Sequence, residues 1–192
     1  MDFSDHDYCS KVVSCSKYVL DLSVEAKVRY FDKLTIQNNN VNISIQDPYS
    51  VNETECFKNF KYCPQITYPD IFNYLTSNPG GYNFDCLKNY KSLSAYEYVT
   101  SGKVCNIMFF TPKGLKDYII VFGEVQPSFR VRDANYKPWV LAHTDGRIQC
   151  GHCTCVAGLG ETCSHVAALL FKIELTVRLG LNVQAPTETA CQ

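Results

Sequence analysis

Between Cys153 and His165 the chain reads Cys153-Thr154-Cys155-Val156-Ala157-Gly158-Leu159-Gly160-Glu161-Thr162-Cys163-Ser164-His165, a C-x-C-x7-C-x-H pattern. Thiolate sulfur and imidazole nitrogen are the donors that Zn²⁺ takes, four at a time, in tetrahedral structural sites. In C-x-C the two cysteines fall on one side of an extended strand, where alternate residues share a face, so both sulfurs can reach one ion. Gly158-Leu159-Gly160 lets the chain turn back. C-x-H then sets Cys163 and His165 at the mouth of a helix, where the positive end of the dipole favours thiolate over thiol. Four protein ligands leave no coordination position open for a substrate, so the pattern predicts a closed, structural Zn²⁺ site. A buried thiol or a lone histidine is by itself an ordinary core residue. Three cysteines and a histidine at paired spacing within 13 residues are not.

Cys150 and His152 directly precede this run, so six candidates compete for four places. Strand alternation favours Cys153 with Cys155; a pairing of Cys150 with Cys153 is the alternative. His152 is expected to face solvent or to orient a ligand from outside its coordination sphere. The remaining cysteines carry less. His6-x2-Cys9-x5-Cys15 is half a metal site without a fourth partner, and Cys56-x6-Cys63 reads as core or surface. Cys86, Cys105 and Cys191 stand alone, and without a paired base none qualifies as a nucleophile. No phosphate-binding loop, nucleophile elbow or dinucleotide fingerprint occurs, and the chain reads as a non-enzyme.

The elements that must position the ligands are legible in the β-rich half. Val104–Phe110, Tyr118–Val125, Phe129–Arg132 and Trp139–His143 are short runs of aromatic and β-branched residues, which predict strands. Thr144-Asp145-Gly146 is a hairpin signal with Arg147–Cys150 returning. An amphipathic helix is predicted from Ser164 through Val166, Leu169, Leu170, Ile173 and Val177 to a stop at Gly180. Before Gly102 the texture is helical. Ser23 is a plausible N-cap for a helix with the stripe Val24, Val28, Phe31, Leu34; Pro69 opens a short helix to about Leu75. Two further helices are expected near Phe84–Tyr90 and Ser92–Ser101, with a Ser94/Glu97 capping box and Gly102 as the C′ residue. Residues 1–20 show no clear period, and the Asn-rich stretch from Gln37 to Glu55 reads as a loop with a turn at Asp47-Pro48-Tyr49. Asn78-Pro79-Gly80-Gly81 is a break. The fold class is therefore α+β: an N-terminal helical region, a small antiparallel sheet and a ββα zinc finger. The divisions are 1–64 with one helix and little else defined, 65–102 helical, 103–182 β-rich with the finger at about 138–180, and a tail at 183–192.

At 192 residues, with 46% hydrophobic and 19% charged residues, the composition is that of a globular chain. Net charge is −1, with 9 Lys/Arg against 12 Asp/Glu up to Gly102 and 9 against 7 after it, a weak basic bias in the half that holds the ligands. No apolar run reaches the roughly 18 residues of a membrane span, and the acidic start Met1-Asp2-Phe3-Ser4-Asp5 lacks a signal-peptide core. An intracellular location, nuclear before cytoplasmic, is expected, with cysteines as thiols or ligands. The sequons at Asn42 and Asn52 then carry no meaning.

The zinc motif resembles the SWIM zinc finger, a ββα module with the consensus C-x-C-xn-C-x-H. Cys155-Val156-Ala157-Gly158-Leu159-Gly160-Glu161 and Cys163-Ser164-His165-Val166-Ala167-Ala168-Leu169-Leu170-Phe171-Lys172-Ile173-Glu174 look like a metazoan, mobile-element-like subgroup in which the finger precedes a YqaJ-type viral recombinase nuclease. Pro69-Asp70-Ile71-Phe72-Asn73-Tyr74-Leu75 and the segment Leu87–Tyr98 resemble the preamble of that group, so the likeness spans about residues 65 to 180. The family pattern selects Cys153, Cys155, Cys163 and His165 as ligands. The resemblance implies a nonenzymatic module that engages nucleic acid or a protein partner, with no membrane and no small-molecule substrate. Arg130, Arg132, Lys137, Arg147, Lys172 and Arg178 are the candidate phosphate contacts, ordinary solvated surface being the alternative. The subgroup's nuclease follows the finger helix, whereas this sequence reads only to Gln192. Its one Glu-x-Lys, Glu25-Ala26-Lys27, suits a solvated salt-bridge face. The alternative function is a regulatory fragment of such a nuclease without its catalytic domain. Loss of the metal is expected to unfold the C-terminal ββα unit and to spare much of the N-terminal helical region.

Overall fold

The computed structural model describes residues 15–38, 41–78, 82–127 and 134–182. In chain order its elements are α1 (Lys17–Leu20), α2 (Val24–Lys33), β1 (Thr35–Asn38), β2 (Val41–Ser44), α3 (Tyr68–Ser77), α4 (Phe84–Lys88), α5 (Ser94–Thr100), β3 (Val104–Phe110), β4 (Tyr118–Val125), β5 (Trp139–His143), β6 (Ile148–His152) and α6 (Ser164–Arg178), with short 3₁₀ turns between them. The chain is α+β, with helices and two small antiparallel sheets.

Strands β3 to β6 form one antiparallel sheet in sequence order, paired at Phe109↔Val121, Phe122↔Trp139 and Leu141↔Cys150. Alternation sends its side chains to two separate cores. Val104, Phe109, Val121, Val125, Val140 and Ala142 pack with Ile71, Leu75, Val99, Leu169 and Phe171 from α3, α5 and α6. Phe110, Ile120, Trp139, Leu141 and Cys150 pack with Val19, Tyr30, Leu34, Ile36 and Ile45 on the opposite face. The sheet is thus the middle of three layers. This explains the unbroken apolar run Trp139-Val140-Leu141-Ala142, all buried, since a strand covered on both faces has no polar side. Each large side chain taken fully out of water contributes about 1.5–3 kcal/mol, and α6 alone buries Val166, Leu169, Leu170, Phe171 and Ile173.

Helix ends follow the local chemistry. Ser23 Oγ accepts from Ala26 N at 3.3 Å, as its N-cap position predicts. Gly102 (φ +70°) and Gly180 (φ +68°) sit in the left-handed region just past α5 and α6. There Lys103 N donates to Tyr98 O and Leu181 N to Thr176 O, the six-to-one bond of a Schellman ending. The expected Ser94/Glu97 box is not formed: Leu93 occupies the N-cap and Ser94 is already helical. The box forms instead at α3, where the Asp70 carboxylate accepts from both Thr67 N and Thr67 Oγ1.

Residues 17–45 hold more structure than their sequence predicts. The Asn-rich stretch expected to be loop contains the β1–β2 hairpin, paired Ile36↔Ile43, and Lys17–Leu20 is a helix whose Val19 is buried. The α2 span is as expected but its inner face only in part: Leu34 is buried and Phe31 packs on the core, whereas Val24 and Val28 are 65% and 46% exposed and Ala26 and Tyr30 turn inward. Tyr30 can do so because its hydroxyl donates to the buried Asp47 at 2.6 Å. Asp47 opens the turn at Pro48 and also accepts from Ser16 N and Tyr49 N at 2.8 and 2.9 Å. Tyr30→Phe is therefore expected to lower unfolding free energy by about 1.5–3 kcal/mol, as for a hydrogen bond to a buried charge. A urea midpoint equal to that of the wild type would contradict this role for Asp47. The predicted strand Phe129–Arg132 and the tail at 183–192 lie outside the described residues, as do Pro79, Gly80 and Gly81.

Candidate metal centre

The hairpin of β5 and β6 delivers the first ligand. Its turn closes through Gly146, at φ +106°, and β6 ends at His152, so Cys153 emerges on the α6 side of the sheet, fully buried. The extended C-x-C expected from the sequence is not what brings Cys155 in. The chain bends at Thr154 and Cys155 and turns through Gly158–Gly160 as a 3₁₀ segment, with Gly158 N donating to Cys155 O at 2.9 Å. Of the two loop glycines, only Gly158 is sterically required. A Cβ there would overlap the backbone carbonyl of Cys153, whereas one at Gly160 would meet nothing within 4 Å. Glu161 then takes a left-handed conformation (φ +66°) that returns the chain toward α6.

Cys163 is the N-cap of α6, and its sulfur accepts from Val166 N at 3.4 Å. His165 follows in the first turn, 8% exposed, stacked on Tyr136 with centroids 4.1 Å apart and flanked by Tyr98. The ligand atoms of Cys153, Cys155, Cys163 and His165 all lie within 4.8 Å of one another, close enough to hold a metal ion. Cys153 Sγ is 3.7 Å from His165 Nδ1. The edge of a tetrahedron built from Zn–S of about 2.3 Å and Zn–N of about 2.0–2.1 Å is about 3.6 Å, so the donor set fits such an ion in kind and in spacing.

The electrostatics point the same way. The neighbouring Cys153 and Cys155 side chains, with His165 and the Val166 amide, hold the Cys163 thiol far below the usual thiol range. Cys153, hydrogen-bonded to both other sulfurs and buried, lies far above it. Three sulfurs this close together titrate as a group, and a bound cation would replace their protons.

The two competing candidates belong to the other face of the sheet. Cys150 is buried in the opposite core, its sulfur 3.3 Å from Lys33 O, and burial pushes its thiol well up. It takes no part in the four-residue group. His152, expected at the solvent or behind a ligand, is fully buried among Tyr18, Tyr30, Tyr49 and Trp139. Its Nε2 is 2.9 Å from the Tyr18 hydroxyl, while its Nδ1 has no hydrogen-bond partner among the described residues. Burial, reinforced by the nearby Lys33 charge, pushes its pKa down to about 3. An unfolded histidine titrates near 6.5, so the unfolded chain takes up this proton first. The stability contribution is full above about pH 6.5 and drains as pH falls toward 3. In chelator, the loss of urea resistance between pH 7 and pH 5 is expected to shrink in His152→Phe; an unchanged loss would contradict a neutral, buried His152.

Sequence reasoning missed Lys33, whose side chain is 5% exposed and lies 3.3 Å from Glu161 Oε1. It also missed Tyr74, whose hydroxyl approaches Glu161 O and Oε2 at 3.3 and 3.4 Å. No local pattern marks either. Of the candidate phosphate contacts, Arg130 and Arg132 lie outside the described residues. Lys172 and Arg178 share α6, but no one element brings the other four together. Lys137 is exposed beside the loop, its backbone N donating to Thr154 Oγ1 at 3.0 Å. Arg147 pairs with Asp145 at 2.9 Å, Arg178 pairs with Glu174 at 2.8 Å, and Lys172 is half-buried on α6. Among the described residues no helix is long and apolar enough to cross a membrane. Comparison with models of known protein families, with curated proteins and with solved structures returns no match.

Proposed function

We propose that the chain binds one zinc ion through Cys153, Cys155, Cys163 and His165, in a SWIM-type ββα finger made of β5, β6 and α6. The convergence of these four side chains, from a hairpin end and a helix N-terminus, carries the reading. Three thiolates and one imidazole are a soft donor set suited to Zn²⁺ over Mg²⁺ or Ca²⁺. With four protein donors the ion has no open position, so its chemistry is structural: it fixes the loop between β6 and α6. Stoichiometric zinc uptake by the chelated chain, lost in Cys163→Ser, is the expected behaviour.

The finger then acts as a nonenzymatic interaction module for DNA or a protein. Lys137, whose backbone is tied to Thr154, is the candidate phosphate contact beside the metal loop; Arg147 and Arg178 each have a carboxylate to satisfy first. A gel shift with duplex DNA is expected to weaken steeply as salt rises. No shift at low salt would remove the nucleic-acid version and leave the protein one. A nuclease assay with Mg²⁺ or Mn²⁺ is expected to show no turnover; turnover abolished by Glu25→Ala would overturn the nonenzymatic reading.

A further inference from the structure

The metal loop is gripped from the far side of the sheet. Lys33 ends α2, in the N-terminal layer, yet its ammonium crosses the edge of β6 to reach Gly151 O at 3.4 Å, Leu159 O at 3.2 Å and Glu161 Oε1 at 3.3 Å. A lysine has three N–H donors, and all three of these partners lie in one segment that brackets Cys153 and Cys155. The bond to Leu159 joins residues 126 apart in sequence. A second tie comes from α1, where the Tyr18 hydroxyl lies 2.9 Å from His152 Nε2 and 3.5 Å from the Cys153 carbonyl oxygen. From the other face, Tyr74 of α3 holds the Glu161 backbone and carboxylate.

We propose that Lys33 is a positioning residue for the metal loop, and that loop closure around the metal is thereby coupled to docking of the layer formed by α1, α2, β1 and β2. This rests on the metal-binding role proposed above. The physical ground is that a buried ammonium left without its acceptors is strongly unfavourable. If the loop opens, Lys33 loses Leu159 O and Glu161 together. If α2 lifts away, the left-handed Glu161 and the carbonyls of Gly151 and Leu159 lose their shared donor, and the loop can relax away from its ligand geometry. The coupling therefore runs both ways, as linkage requires.

The test uses the full chain as wild type, Lys33→Met and Lys33→Arg. Met keeps most of the aliphatic stem and removes the charge; Arg keeps the charge. Zinc affinity is read by competition with a chromophoric chelator. In EDTA, the alkylation rates of Cys155 and Cys163 report loop closure without any metal. Hydrogen exchange of 24–38 and 153–163 is followed with and without zinc. Lys33→Met is expected to weaken zinc binding about 10- to 100-fold, the usual effect of losing an outer support of a metal site. It is also expected to speed alkylation in EDTA, with Lys33→Arg recovering most of both. Zinc removal is expected to raise exchange in 24–38 and 153–163 together. Unchanged alkylation of Lys33→Met in EDTA would overturn the inference, as would exchange in 24–38 that stays indifferent to zinc in a wild type that binds it. A wild type that binds no zinc while Lys33→Met still alkylates faster would sustain the positioning role and defeat the proposed metal function. Should Lys33→Met fail to fold, Glu161→Gln, at a loop position 23% exposed, carries the same readouts.

Discussion

Cys153→Ser is expected to cost the chain its metal without costing it its fold. Structural zinc sites bind with an apparent 10–16 kcal/mol shared over four ligands, so losing one thiolate removes about 3 kcal/mol or more, roughly 100-fold in affinity or greater. In an isolated finger that energy is the folding energy, and the unit comes apart without metal. Here the helix that carries Cys163 and His165 is not held by the ion alone. Val166, Leu169, Leu170, Phe171 and Ile173 are at most 2% exposed, packed on the sheet and on α3 and α5. At about 1.5–3 kcal/mol for each large side chain buried, that packing outweighs the ligand bond. The ββα unit and the helical region also share one core, so the sequence-based expectation that the first unfolds while the second survives is not what this architecture supports. Metal loss should open residues 153–163 and leave the far-ultraviolet circular dichroism of α6 nearly intact. The melting temperature should still fall, because an ion that binds only the folded state stabilises it by about 4 kcal/mol at a thousand times its dissociation constant. Collapse of the helical signal in Cys153→Ser, or on chelation, would contradict this division of labour.

Gly158→Ala is expected to be as damaging as removing a ligand, although residue 158 touches no metal. The new methyl would occupy the Cys153 carbonyl, and that carbonyl belongs to a residue fixed by β6 and by full burial. Relief requires moving either the ligand or the loop, an effect in the class of about 4 kcal/mol or more, and so a loss of about 1000-fold in zinc affinity. Gly160→Ala is the internal control: its methyl enters open space, and its affinity should stay within a few-fold of wild type. Equal behaviour of the two variants would mean that the loop is not closed as described.

These two glycines show where sequence legibility stops. Gly158-Leu159-Gly160 announces a turn through composition alone, but which glycine is indispensable depends on the approach of the Cys153 carbonyl, a tertiary fact. The strands Val104–Phe110, Tyr118–Val125 and Trp139–His143 and the helix from Ser164 were readable because β-branched runs and helical period are local. The α2 span was readable from its Ser23 cap, and its face from Phe31 and Leu34 but not from Val24 and Val28, which look like core until the pairing of Tyr30 with Asp47 turns the helix. His152 was misplaced for a similar reason. The clue was present, since the unbroken run Trp139–Ala142 already signals a strand covered on both sides. With that second layer in place, the alternate positions Cys150 and His152 on β6 must turn into it. Lys33 had no such clue. A lysine at the end of an amphipathic helix reads as solvated surface until Gly151, Leu159 and Glu161 arrive from the other end of the chain.

The four candidate ligands, by contrast, were singled out from six neighbours by strand alternation and by the resemblance, and the fold brings their ligand atoms within 4.8 Å of one another, close enough to hold a metal ion. The most direct test is elemental analysis of the full chain, purified and desalted without chelator. One zinc per chain is the expected result, falling to none in Cys153→Ser; a wild-type chain with no bound zinc would contradict the metal centre itself.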